Sequence, residues 1–162
     1  MGLFQNILSK NKGIQIGAPM KGRVVSIKEV SDPTFSEEIL GKGVALVPAE
    51  NKIYSPVDGT VKTIFPTGHA VALVTREGAE ILIHVGIDTV KLNGRHFNVH
   101  VKEGDVVKRG VLLLEADFKQ IKDAGYDIIT PVIVCNSQEF EKIEVQEAKE
   151  VVQGEEVMRL QK

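Results

Sequence analysis

Short apolar runs, broken at close intervals by glycine and proline, recur along most of the chain. Arg23 to Ile27, Val44 to Val47, Thr60 to Ile64 and Val111 to Glu115 are rich in Val, Ile and Leu. Branched side chains of this kind fit a pleated, half-buried surface. The pattern therefore predicts an all-β domain of many short strands. Helical material is minor. Phe35 to Leu40 has room for one or two turns, and Asp117 is placed to cap a short helix ending near Gly125. Asn136 or Ser137 is placed to cap another through Ile143. The stretch A-P-M-K-G-R-V-V from Ala18 to Val25 echoes S-P-V-D-G-T-V-K from Ser55 to Lys62. V-K-E-G-D-V-V-K-R-G from Val101 to Gly110 has a fainter partner in V-Q-G-E-E-V from Val152 to Val157. Repeats this weak do not predict a solenoid; they predict a sandwich or barrel of two related halves.

Two of the four histidines interrupt apolar runs on either side of one turn signal, Arg76-Glu77-Gly78. With a tight turn at Glu77-Gly78, Arg76 faces Ala79, Val71 lies opposite His84, and His69 lies opposite Gly86. Side chains alternate between faces with period two, so His69 and His84 project from one face as diagonal neighbours. A slip of one residue in the pairing separates them. A facing pair of imidazoles suits three roles. A neutral imidazole, with a free pKa of about 6.5, is a good nucleophile, and phosphoryl transfer asks mainly for positioning and charge stabilisation. It is also a metal ligand, although zinc wants three or four ligands. Finally, both rings could be buried structural histidines. Thr67, two residues before His69, is placed to accept a hydrogen bond from one ring nitrogen and fix the tautomer. Asp88, four residues after His84, could lie at the rim of the same pocket.

Composition narrows the field. The 162 residues fit one domain, with 43% hydrophobic content to fill a core and a net charge of −2. No basic face is indicated, so nucleic acid is not an expected partner. One cysteine, Cys135, cannot form an internal disulfide, and no signal peptide is visible, so the cytoplasm is the expected compartment. No apolar run approaches the roughly 20 residues of a membrane span. Residues 1–13 read as a separate segment, flexible or a short amphipathic helix. Leu3, Phe4, Ile7 and Leu8 share one side of it, and Lys10 and Lys12 follow. Residues 1–10 could contact a membrane surface. Residues 14–162 form the single folded domain. There is no G-x-x-x-x-G-K-[ST] loop, no G-x-S-x-G elbow and no H-E-x-x-H, which argues against a nucleotide cradle, a serine hydrolase and a zincin.

Several motifs together resemble the glucose-type enzyme IIA component of the bacterial phosphoenolpyruvate-dependent sugar phosphotransferase system. They are A-P-M-K-G from Ala18, P-V-D-G-T-V from Pro56, T-G-H-A from Thr67 and I-H-V-G-I-D-T-V from Ile83. G-R-H-F from Gly94, E-G-D-V-V-K-R-G from Glu103 and Thr130-Pro131-Val132 continue the match. The resemblance covers nearly the whole chain from about Ile14. It implies an antiparallel β-sandwich with Greek-key and jelly-roll features. It implies that His84 is phosphorylated on Nε2, that His69 steadies the phosphoryl group, that Thr67 orients His69, and that the carbonyl of Gly86 holds Nδ1 of His84. The implied donor is the phosphocarrier protein HPr, and the implied acceptor is the IIB domain of a sugar permease. Asp32 and Asp88 match acidic positions that face basic partner residues. Phe35, Ile39, Leu40 and Phe65 match the surrounding apolar docking surface. No cofactor is required, although His69 and His84 could hold a regulatory zinc if a partner protein lent a carboxylate. The resemblance also points to a IIA component lying peripherally at the inner face of the membrane. It assigns no role to His96, expected in an exposed loop, or to His100.

Two other classes share parts of this grammar. Biotinyl and lipoyl carriers also show A-P-M-x-G-x-V and V-x-x-G-D-x-V-x-x-G, but Lys119 in E-A-D-F-K-Q lacks the flanking methionines of a carrier lysine. Lysostaphin-type zinc hydrolases need a third ligand, usually from a His-x-His element, and the chain has none.

Overall fold

The computed structural model describes residues 13–162. The helix and membrane contact expected for residues 1–10 lie outside them. Among the described residues, fourteen short strands build three antiparallel sheets. The largest has eight strands. In spatial order these are β13 (Lys149–Val151), β2 (Gly22–Ser26), β3 (Lys42–Pro48), β11 (Thr130–Val134), β7 (Glu80–His84), β6 (Ala70–Thr75), β5 (Gly59–Ile64) and β9 (Val106–Val107). One three-stranded sheet joins β1 (Ile14–Gly17), β14 (Glu156–Gln161) and β12 (Lys142–Val145). The other joins β4 (Lys52–Tyr54), β10 (Leu112–Ala116) and β8 (Phe97–Val99). The echoed segments lead into β2 and β5. These strands take matching places, each one strand from an edge of the large sheet with a short outer neighbour.

Both faces of the large sheet are covered, which explains why its strands read as continuous apolar runs. Val24, Val44, Leu46, Val71, Leu73, Ile81, Ile83, Val132 and Val134 point into the main core, against Ile16, Ile53, Leu113 and Leu160 of the small sheets. The alternate residues Val25, Ala45, Ala70, Leu82 and Ile133 face a second cluster completed by Ile27, Val30, Phe35, Ile87 and Ile129. Period-two alternation sets which side each residue takes. His84, two residues beyond Leu82, falls on the side of the second cluster.

The fainter echo is one turn used twice. Gly104 and Gly154 have φ of 93° and 88°. Asp105 accepts from the Lys102 amide at 2.9 Å, and Glu155 from the Val152 amide at 3.2 Å. The helical expectations hold in part. Asp117 caps the helix Phe118–Asp123, accepting from the Gln120 amide. The turn expected at Phe35 to Leu40 forms earlier, at Pro33–Ser36, because Asp32 caps it and Pro33 occupies its first turn. The helix expected from Asn136 through Ile143 shrinks to a 3-10 turn, Ser137–Glu139, and Ile143 lies in β12 opposite Leu160. The side chain of Asn136 makes no cap. It accepts from the Glu80 amide at 3.0 Å and donates to the Gly78 carbonyl at 2.8 Å, which ties it to the β6–β7 hairpin instead.

Candidate active site

That hairpin turns through three residues, not two. Thr75 faces Ala79, the Thr75 N–H donates to the Ala79 carbonyl at 2.9 Å, and Gly78 takes the left-handed conformation at φ 94°. A type I turn closed by a left-handed glycine is the usual three-residue hairpin loop. The register therefore differs by one from that of a tight Glu77-Gly78 turn. Ala70 lies opposite His84, and Val85 donates its N–H to the His69 carbonyl at 2.7 Å. In a regular ladder that slip would put the two rings on opposite faces. They meet nonetheless, with ring centroids 5.0 Å apart and planes at 80°. His69 lies just outside β6, after Gly68 at φ 73° in a turn that begins at Phe65. Strict alternation no longer governs it there.

Each ring is held from behind. Nδ1 of His84 lies 2.7 Å from the carbonyl oxygen of Gly86. A carbonyl only accepts, so Nδ1 carries the proton and Nε2 of the neutral ring keeps its lone pair. Gly86 reaches this position at φ 78°. The loop behind it is locked by two residues that the sequence did not single out as supports. Buried Thr89 donates its hydroxyl to the Val85 carbonyl at 2.6 Å, and Asp127 accepts the Ile87 N–H on its carbonyl at 2.9 Å. Asp88-Thr89 reads locally as a turn pair, and no local signal marks Asp127, 41 residues from Gly86. Nδ1 of His69 sits 2.5 Å from the Thr67 hydroxyl.

Burial drives the electrostatics. His69 is 4% exposed, and its pKa falls to about 4 through desolvation and the neighbouring His84. Desolvation also lowers His84, against a smaller upward pull from the Gly86 carbonyl, Asp32 and Asp88. Both rings are therefore neutral at pH 7. Phe35 lies beside His84 with ring centroids 5.0 Å apart and planes tilted by 55°, and Phe65 meets His69 edge-on at 5.4 Å. Phe35 is not part of an exposed rim: it is 4% exposed. Ile39, Leu40 and Phe65 are open to solvent, Ile39 most of all at 68%. Asp32 accepts from the Thr34 amide, whereas the Asp88 side chain makes no cap bond.

The remaining candidates fall elsewhere. His96 is half-buried in a left-handed turn at φ 78°, less open than an exposed loop, and His100 pairs with Glu115 at 2.8 Å on the surface. Lys119 lies within the helix Phe118–Asp123, paired with Asp123, and not at a hairpin tip as a carrier lysine would. Among the described residues, no group of three or more His, Cys, Asp or Glu side chains is placed to hold a metal. A zinc at His69 and His84 would need ligands from another molecule. Among the described residues, no helix is long and apolar enough to cross a membrane.

Residues 14–140 match the family model of the phosphoenolpyruvate-dependent sugar phosphotransferase system, EIIA 1. The chain belongs to this family. It is a phosphotransferase component with an antiparallel β fold. The EIIA chain is 40% identical over 162 residues to the glucose-specific EIIA component of Haemophilus influenzae, covering 98% of this chain and 97% of that protein. It is 50% identical over 127 residues to the β-glucoside-specific EIIBCA component of Dickeya chrysanthemi, covering 78% of this chain. The EIIA chain spans only 20–24% of the length of the β-glucoside EIIBCA relatives that it matches. Among solved structures, glucose permease IIA from Mycoplasma capricolum superposes with a TM-score of 0.86 at 36% identity, covering 91% of this chain and 96% of that one.

Proposed function

We propose that His84 carries a phosphoryl group on Nε2, received from phospho-HPr and passed to the IIB domain of a glucose- or β-glucoside-type permease in the cytoplasm. The observation that carries this reading is the bond from His84 Nδ1–H to the Gly86 carbonyl. It aims the Nε2 lone pair outward beside a second imidazole. In the forward step, Nε2 attacks phosphorus and the bond from phosphorus to the donor nitrogen breaks. The His84 ring keeps its Nδ1 proton and gains positive charge. The Gly86 carbonyl, Asp32 and Asp88 favour that cation, and a cationic ring is a good leaving group for onward transfer. The same carboxylates, with the apolar surface of Ile39, Leu40 and Phe65, suit brief docking of positively charged partners. No cofactor is needed.

His69 is neutral, so it can serve the phosphoryl oxygens only as a hydrogen-bond donor from Nε2. Nδ1 must then accept from the Thr67 hydroxyl. This is the reverse polarity to a threonine accepting from the ring. The test is intact mass after incubation with phosphoenolpyruvate, enzyme I and HPr. An acid-labile gain of one phosphoryl group, lost in His84→Ala and kept in His69→Ala, is expected. No gain in the wild-type chain would overturn the reading.

A further inference from the structure

The helix Pro33–Ser36 is a single turn. A turn this short has almost no stability of its own, because nucleation is costly and only propagation offsets it. Local groups hold it. Pro33 presets φ in the first turn. Asp32 Oδ1 accepts from the Thr34 amide at 2.9 Å, and the Asp32 carbonyl accepts from the amides of Phe35 and Ser36, each at 3.0 Å. The turn carries one buried side chain, Phe35, which belongs to the second core cluster and lies 5.0 Å from His84 between ring centroids. Cap, turn, phenyl ring and imidazole form one continuous line. Gly86 fixes only an edge of the His84 ring, which leaves rotation about that bond to be stopped by packing. Phe35 supplies that packing on one side.

We propose that Asp32 is a positioning residue for His84: its side chain caps the turn that seats Phe35 against the imidazole. This rests on His84 being the phosphoryl carrier. It goes beyond reading Asp32 as a charge facing a basic partner, because Oδ1 is committed inward to the Thr34 amide. Asparagine caps a helix as well as aspartate does and carries no charge, so the two roles can be separated.

The experiment compares Asp32→Asn, Asp32→Ala, Phe35→Leu and the double variant Asp32→Ala/Phe35→Leu in the full chain. Phosphorylation by enzyme I and HPr gives kcat and KM for phospho-HPr, and NMR reads the His84 ring in the unphosphorylated, folded protein. Loss of docking charge raises KM equally in Asp32→Asn and Asp32→Ala. Loss of the charge that favours the His84 cation lowers kcat and shifts the ring signals alike in Asp32→Asn and Asp32→Ala, whereas loss of the cap lowers kcat about a further fivefold and shifts the ring signals further in Asp32→Ala alone. In the double variant kcat falls no further than in the more damaged single variant, because both act through one contact. Equal kcat and equal ring signals in Asp32→Asn and Asp32→Ala overturn the proposal, as do fully additive losses. A wild-type chain that takes no phosphate would instead overturn the reading of His84, and the ring spectra would still decide the positioning.

Discussion

Replacing Gly86 by alanine is expected to damage the site through its backbone. At φ 78° an alanine pays about 1 kcal/mol for the left-handed conformation. Its Cβ would lie 2.7 Å from Thr89 Cγ2 and 3.0 Å from the Asp127 carbonyl oxygen. Neither neighbour yields easily. Thr89 is fully buried and bonded to the Val85 carbonyl, and the Asp127 oxygen holds the Ile87 N–H. Relief by moving the loop breaks one of these bonds, each worth about 1 kcal/mol, and leaves a polar group of buried Val85, Ile87 or Thr89 without its partner. The total is about 3 kcal/mol. For a chain of this size that lowers Tm by roughly 6–12 °C. The same movement draws the Gly86 carbonyl away from Nδ1 of His84. The proton is then shared between the two ring nitrogens, and acceptance of phosphate slows by about tenfold. A thermal melt and the initial rate of phosphorylation read the two effects, and nitrogen NMR of the His84 ring reads the tautomer. A Gly86→Ala chain melting within about 2 °C of wild type, with an undiminished rate and unchanged tautomer, would refute the reasoning.

Thr67→Val should leave His84 phosphorylated and slow onward transfer to IIB by about tenfold, the worth of one hydrogen bond of about 1.4 kcal/mol; Thr67→Ser should restore most of the rate, and equal rates in all three chains would count against the assigned polarity. His69, with its pKa lowered to about 4, resists a proton that the unfolded chain binds at its ordinary value of 6.5. Native stability therefore falls as pH drops from 6.5 to about 4 and levels off below, by on the order of 3 kcal/mol from this group. Urea melts at pH 7 and 4.5 should show a smaller loss in His69→Asn than in wild type; equal losses would contradict it. Ile39→Ser, at a residue 68% exposed, should weaken partner binding with Tm within about 2 °C of wild type, as read by calorimetry and a binding titration. Unaltered affinity would remove Ile39 from the docking surface.

Local chemistry alone determined the strand pattern, the hairpin that carries both histidines, the cap at Asp117 and the reuse of one glycine turn. Each depends on neighbours a few residues apart, so each is written in a short stretch of chain. The family motifs imply, beyond this, the roles proposed for His84, His69, Thr67 and Gly86. Only the tertiary structure decided the rest. The register of the hairpin depends on a three-residue loop pinned by Asn136, more than fifty residues away. Period-two reasoning turns on a single residue of slip, so a local reading of that turn reached the right pairing of rings by the wrong register. The burial of Phe35 against His84 and the lock on Gly86 from Asp127 likewise join distant segments. Side-chain periodicity says which face a residue takes. It does not say what packs against that face, and here that packing desolvates both rings, while the Gly86 carbonyl fixes which nitrogen of His84 keeps its lone pair.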